Sequence, residues 1–394
     1  MTPNHSSTNN AAYSLASQIS LSPALCSKVA KGAQLVEHRC VVVSIGAHLA
    51  SHLALSLAMA HCNVLVLCSQ PNAERNRLLQ LAKFQALSQP DVQIPLLLDN
   101  VHFQQIDLFD EADLAAAIRP SDVIFNLVRL WPYGSPLYPT SADSDLWTYH
   151  FRAMQLLGMV ALKQGAARLV HLGSLLSLGR NPQTGIADEE QPLLPDDNRS
   201  LFERTLFRQE MVAWQMAERG LSLTVLNAGL PFGPCTELGH WLYGSVAMGS
   251  AEVPNVAMPL ADVNLLTLSL MAAESPLCNG HRLAISGDKV DLRTLAKTLS
   301  SMLRLDGHRS GWTKIMTRIR CRLRQHPLPR EVQEIMLRLP TCHSGKVEEL
   351  FRQLDCPDLA EALARSVGEP LNWASTQIES LVEFETLSSQ TDGQ

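Results

Sequence analysis

The sequence predicts an α/β fold, a parallel sheet with helices on both faces, followed by a smaller C-terminal lobe of mixed structure. Three observations predict it. Short, fully apolar runs rich in β-branched residues recur along the first 230 residues. Helical patterns separate them. The runs do not alternate apolar with polar residues, as a half-solvated sheet would, so both of their faces must be covered.

The elements follow in order. Residues 1–38 read as a flexible Ser/Asn/Ala-rich tail and a weak N-terminal helix. Cys40–Ser44 (CVVVS) is the first strand, Gly46 its turn and Leu49–Met59 the first helix of the alternating series. Asn63–Cys68 (NVLVLC) is a strand, and Ala73–Leu87 a helix entered through Pro71 and Asn72. Val101–Ile106, Glu111–Ile118 and Asp122–Val128 continue the strand, helix, strand series. Trp147–Gln164 is a long helix closed by Gly165, and Arg168–Leu172 a fifth strand. Leu201–Arg219 is a helix closed by Gly220, and Ser222–Asn227 a sixth strand. Parallel neighbours need right-handed crossovers, so the series predicts a Rossmann-like doubly wound domain over residues 39–230. Beyond Pro231 the alternation weakens. Residues 231–385 are expected to form the lobe, with helices at Ala261–Glu274 and Leu292–Leu303 and a strand at His281–Ile285, and 386–394 a tail.

Composition narrows the function. The 394 residues carry 32 Lys+Arg against 38 Asp+Glu, a formal charge of -6, which argues against specific nucleic-acid binding. No apolar stretch reaches the roughly 18 residues of a membrane span. The first residues, MTPNHSSTNN, lack the basic-then-apolar order of a secretory signal. The nine cysteines contain no CxxC pair and several sit in apolar runs, so they read as buried, reduced thiols of a cytoplasmic protein. His61, His102 and His171 lack zinc-ligand spacing, and no metal is expected. Residues 304–338 hold nine Lys/Arg against three acids, with Ile315, Ile319 and Leu323 on one helical face. That segment either presents a solvated basic face or meets an anionic partner or membrane surface.

Several segments together resemble one family. VVVSIGAHLASHLALSLA is similar to an opening VTGATGFIGSHLA, IDLFDEADLAAAI to a DLTD-type segment, and DVIFNLV to a DVVFHLA strand. RLVHLGSLLSLG resembles a VHLSS-VYG strand, LTVLNAGLPFGP an LRPGNVYGP segment, and PLADVNLLTLSLM a V-D-D-V-A segment. CHSGKVEELFRQL resembles a DNSKARRELGF stretch. In this order they resemble the extended short-chain dehydrogenase/reductase superfamily, in its NAD-dependent epimerase/dehydratase branch, from about Arg39 to Glu379. The resemblance implies a nicotinamide cofactor, NAD or NADP, that exchanges a hydride with a hydroxyl or carbonyl substrate. It also implies a Tyr of a Y-x-x-x-K pair as general acid/base. A homodimer through Trp147–Gln164 and Leu201–Arg219 would follow by analogy.

The motif positions depart from the family pattern. With Glu210 matched to the last residue of YGRSKLAAE, Phe202 stands at the Tyr position and Leu206 at the Lys position. No Y-x-x-x-K occurs anywhere in the chain. Ser174 falls at the catalytic Ser/Thr position; it is either catalytic or a plain strand-end serine. His150, beside Tyr149, either forms a substitute acid/base pair with Ser174 or fills a polar pocket. The glycines of G-x-x-G-x-x-G fall on Ser44, Ala47 and Ala50, with Gly46 displaced. Strand 2 ends in Cys68-Ser69, with no carboxylate for a ribose, and Arg75 and Arg77 just beyond would favour NADP. Asp107 either contacts adenine or caps the next turn, and Val128 stands beside the cofactor where the family has a small residue. Asp188-Glu189-Glu190 reads as a solvated loop. Two expectations follow. The chain is a divergent, catalytically silent member that binds a small-molecule or protein ligand at its cleft. Alternatively, it is an active NAD(P)-dependent oxidoreductase or epimerase acting on a nucleotide sugar or similar substrate through Ser174 and His150.

Overall fold

The computed structural model describes residues 21–44, 48–88, 98–128, 144–191, 201–247, 253, 255–305, 336–368 and 370–391. Gly46, Ala47 and most of the basic segment 304–338 lie outside them, as do the side chains of Tyr149, His150 and Phe202.

In chain order the elements begin with α1 (Pro23–Gly32), β1 (Arg39–Ser44), α2 (Leu49–Met59), β2 (Asn63–Cys68), α3 (Pro71–Ser88) and β3 (Val101–Gln105). Next come α4 (Glu111–Ala117), β4 (Val123–Asn126), α5 (Ser144–Gln164), β5 (Arg168–Ser174), the short strands β6 (Gly179–Arg180) and β7 (Ala187–Asp188), and α6 (Leu201–Glu218). They continue as β8 (Leu223–Ala228), β9 (Leu230–Phe232), α7 (Glu237–Ala247), β10 (Ala257–Asp262), α8 (Val263–Ala273), β11 (Arg282–Ile285), β12 (Lys289–Asp291) and α9 (Leu292–Leu305). Helices α10 (Gly345–Gln353), α11 (Pro357–Gly368) and α12 (Pro370–Thr391) close the described chain.

Seven strands form one sheet in the order β11-β8-β5-β4-β1-β2-β3, every pairing parallel. The doubly wound reading holds, and the register shows why the strands are apolar throughout. Cys40 and Val42 join the core beneath α1, α2, α3 and α8, while Val41 and Val43 join the opposite core beneath α4, α5 and α6. Every residue of α2 is buried, from Leu49 to Met59. It is wedged between the sheet and helices α1, α3 and α8, so a helix apolar all round is what the place requires. The long helix and its neighbour end as expected, on Gly165 at φ +71° and Gly220 at φ +105°. The eight cysteines among the described residues are free and buried.

The chain beyond residue 230 does more than form a lobe. Strand β11 pairs with β8 and completes the large sheet, and α8 packs on α2 against the same sheet. The helix expected from Ala261 starts at Val263. Asp262 caps it, accepting from the amides of Asn264 at 2.9 Å and Leu265 at 3.0 Å. The lobe proper is the small sheet β12-β10-β9 with α7, α9 and α12. The carboxylate run is also corrected. Glu189 is not solvated: its side chain is 8% exposed, accepts from the Ala284 amide at 2.6 Å and faces Lys346 at 3.4 Å. Glu190 of the same run is the exposed partner of Lys346.

One close approach fixes the end of β5 against β8. A Cβ on Gly173 would stand 2.2 Å from the Asn227 side-chain oxygen. Gly173→Ala is expected to lower stability by about 1–3 kcal/mol. Chemical denaturation of both single variants and of the double variant with Asn227→Ala should give a non-zero coupling, because the clash needs both side chains.

Candidate active site

In an open parallel sheet a ligand sits at the carboxyl ends of the strands, where the order reverses. Here that place is between β1 and β4. Ser44 ends β1 and is buried; Asn126 ends β4, and the Leu127 amide donates to Val43 O at 2.9 Å across the crevice. Asn126 is a buried hub. Its amide nitrogen faces Met154 Sδ at 2.9 Å and His171 Nδ1 at 3.1 Å, and its oxygen accepts from the Val128 amide at 3.0 Å. Val128 is buried, and its carbonyl accepts from the Gln209 side chain at 2.8 Å.

Helix α2 points its amide end at this crevice. Its first amides lack intrahelical acceptors and carry the positive end of the helix dipole. The His48 amide, just before α2, donates to the Glu237 carboxylate at 2.9 Å. Ala50 lies in the first turn and is buried. One turn further on, His52 donates through Nε2 to the Pro234 carbonyl at 2.8 Å. Burial pushes the His52 pKa down to about 4, so the ring is neutral and its Nδ1 is an acceptor left without a partner. Burial also lowers the pKa of His48, whose Nδ1 is likewise buried and unpartnered.

Next to β1 in the sheet, β2 is followed by Ser69, which is exposed, as is Arg75. Arg77 is committed inside the chain, to the buried Glu74 at 2.7 Å. Of the two readings of Asp107, the structure supplies the cap: its carboxylate accepts from the Phe109 amide at 2.9 Å.

The region after β5 is built around Glu210, buried on α6. It accepts from Ser177 at 2.6 Å, from the Trp214 ring nitrogen at 3.2 Å and from Arg282 of β11 at 2.7 Å. Arg282 also lies over the Trp214 ring, 5.5 Å from its centre. The Ser177 hydroxyl also lies 2.7 Å from the Ser174 carbonyl and 3.0 Å from the Asn227 side-chain oxygen, so its one proton is shared among three acceptors. Ser174 ends β5, fully buried, and its hydroxyl accepts from the Leu176 amide at 3.3 Å, capping the turn that follows. Leu206, at the Lys position, is buried in an apolar cluster with Leu175, Leu176, Leu230 and Phe232. Tyr149 and His150 belong to α5 by their backbone.

Comparison with known proteins agrees with this architecture. Residues 44–246 match the model of the NAD dependent epimerase/dehydratase family. The chain belongs to the NAD-dependent epimerase/dehydratase family. No curated protein matches the sequence. Among solved structures, an epimerase from Methanothermobacter thermautotrophicus is 15% identical, covering 88% of this chain and 97% of its own, with TM-score 0.59. A mutant UDP-glucuronic acid 4-epimerase from Bacillus cereus, in complex with UDP-4-deoxy-4-fluoro-glucuronic acid and NAD, is 14% identical. It covers 82% of this chain and 98% of its own, with TM-score 0.58. A nucleoside-diphosphate-sugar epimerase from Pseudomonas aeruginosa is 14% identical over 81% and 97%, with TM-score 0.55. At these identities the likeness shows the fold.

The family uses NAD(P), so the fit of the residues present can be tested. The His48 amide carries a carboxylate in place of a phosphate, no acid follows β2 for a ribose, and the Lys position is apolar core. Among the described residues, none of these three places offers a nicotinamide dinucleotide the group that the family pattern supplies. Two features were not legible beforehand. Nothing in the local sequence brings Glu237 to α2, 189 residues away, and Glu189 showed only as one acid among three.

Glu189 gives a pH dependence. Burial, opposed by Lys346, raises its pKa to about 7. The native state therefore holds this proton more tightly than the unfolded chain does. Its stabilising contribution is full below the ordinary carboxylate range and is lost as pH rises through about 7. Glu189→Gln removes the titration, so the stability of the variant relative to the parent should improve steadily from pH 5 toward pH 8. Denaturant midpoints across that range check it.

Proposed function

We propose that this family member does no nicotinamide redox chemistry and works as a binding or scaffold protein through the retained fold. The observation that carries the reading is Leu206. At the position of the family's lysine it is buried and belongs to the same apolar core cluster as Leu175, Leu176, Leu230 and Phe232, so the place is core and holds no charge. A lysine there would have to leave its ammonium in an apolar cluster or push the cluster apart. The partner position at 202 holds phenylalanine, which has no proton to give, and no other Tyr–Lys pair exists in the chain. General acid/base work supplies roughly 10²–10⁴ in rate, so its loss removes the family's main catalytic contribution. The Ser174 hydroxyl, at the family's Ser/Thr position, caps the following turn by accepting from the Leu176 amide.

Calorimetric titration of the purified protein with NAD, NADH, NADP and NADPH tests this. No heat up to about millimolar cofactor is expected, with no nucleotide absorbance in the purified material. Binding of any of the four at about micromolar Kd, worth about 8 kcal/mol, would overturn the reading and restore Ser174 and His150 as candidates for an active enzyme on a nucleotide sugar or similar substrate.

A further inference from the structure

We propose that Glu189, Ser344 and Lys346 form a latch that closes the open edge of the large sheet in place of an eighth strand, and that one proton on Glu189 sets how tightly it closes. The inference does not depend on what the cleft binds.

The edge comes first. β11 ends the sheet, with β8 on its inner side. The Val225 amide takes the His281 carbonyl, and the Gly229 amide takes the Ile285 carbonyl. Alternate residues of β11 therefore face β8, and Arg282, Ala284 and, just past the strand, Ser286 turn their peptide groups outward. Such a row is a template for pairing unless something covers it. Side chains cover it here. The Ala284 amide donates to Glu189 Oε1 at 2.6 Å, and the Ser286 amide to Ser344 Oγ at 3.3 Å. Lys346 Nζ donates to the Arg282 carbonyl at 3.4 Å. These side chains come from two stretches, the loop after β7 and the start of α10. The two are joined to each other. The Ala187 amide donates to Thr341 O at 2.7 Å, and Lys346 faces Glu189 at 3.4 Å and pairs with Glu190.

The start of α10 departs twice from what its own helix favours. Ser344 is the cap residue, yet its hydroxyl makes no capping bond and is spent on Ser286. Lys346 stands in the first turn, where the helix dipole disfavours a cation. Both side chains serve β11 and Glu189 instead.

The proton is set by what surrounds Glu189. Its side chain is 8% exposed. Lys346 faces it from α10, and Glu190 stands beside it in the chain, with Asp188 and His281 around Glu190. Arg282 of β11, already paired with Glu210, donates to the Glu189 carbonyl at 3.4 Å. The Cys342 thiol is close too, and burial pushes its pKa up to about 11, so it stays neutral. Burial, opposed by Lys346, raises the pKa of Glu189 to about 7. Released into water, the carboxyl returns to its ordinary range, so closing the latch takes up a proton. The latch is therefore tightest in acid, loosens as pH rises from the ordinary carboxylate range to about 7, and then levels off. A neutral carboxyl still offers Ala284 an oxygen, so the contact with the edge survives protonation.

Amide-resolved hydrogen exchange on the full chain from pH 5 to pH 8, corrected for the intrinsic pH dependence of exchange, tests this. In the parent, the opening constants of the Ala284 and Ser286 amides should rise by about 10-fold or more across that range. In Glu189→Gln the side-chain oxygen still accepts and nothing titrates there, so the rise should vanish. Lys346→Met removes the cation that favours the carboxylate, and the rise should move to higher pH. The Ile285 amide, which faces β8, should stay better protected than either edge amide. A parent whose edge amides show no pH dependence overturns the proposal. So does a rise in Glu189→Gln equal to the parent's, which assigns the proton to another group such as His281. An unmoved rise in Lys346→Met overturns it as well. Equal protection of all three amides means that the edge opens only with the whole domain, and there is then no latch. If Lys346→Met does not fold, the parent and Glu189→Gln decide alone.

Discussion

A buried carboxylate that must be paired organises the functional end of this molecule. Glu210 lies inside, on α6, and cannot be left alone there without a cost of several kcal/mol. Its partners come from three separate stretches: Ser177 after β5, Trp214 one turn along α6 and Arg282 on β11. Meeting that demand ties α6 to the turn at the end of β5 and to the last strand of the sheet. The positions that carry the family's chemistry are thereby held over the strand ends, whichever residues occupy them.

The cleft shows the same separation between place and content. The crevice at β1 and β4 is where an open parallel sheet takes a ligand, and α2 brings its amide end there. Two groups beside it are engaged within the chain, the His48 amide by Glu237 and the Val128 carbonyl by Gln209. Leu206 of α6 is buried in the same apolar cluster as Leu230 and Phe232 of β9. A charge at that position would be expensive, and leucine is the residue the surroundings favour.

The chain beyond residue 230 has two roles. Strand β11 and helix α8 finish the large sheet and its cover, while α7, α9 and α12 make the lobe that delivers Glu237. The lobe is therefore built on the sheet domain at several points. Arg338 continues this stitching by pairing with Glu203 of α6 at 3.1 Å.

The sequence by itself determined the parallel sheet, its helices and their ends. Those signals are local: unbroken apolar runs, 3.6-residue periodicity and glycines at Gly165 and Gly220, where the backbone must turn left-handed. It also determined the absence of a Tyr–Lys pair, which is a matter of composition and spacing. It left two readings of Asp107 open, and the structure shows its carboxylate accepting from the Phe109 amide. It read Glu189 as solvated, because burial of one acid among three depends on what packs over it. The tertiary structure alone decided that Arg282 belongs to the sheet, that Leu206 is core and that Glu237 meets α2. Each of these depends on contacts between residues far apart in the chain, and local pattern carries no record of which distant side chain satisfies a buried polar group or a free helix amide.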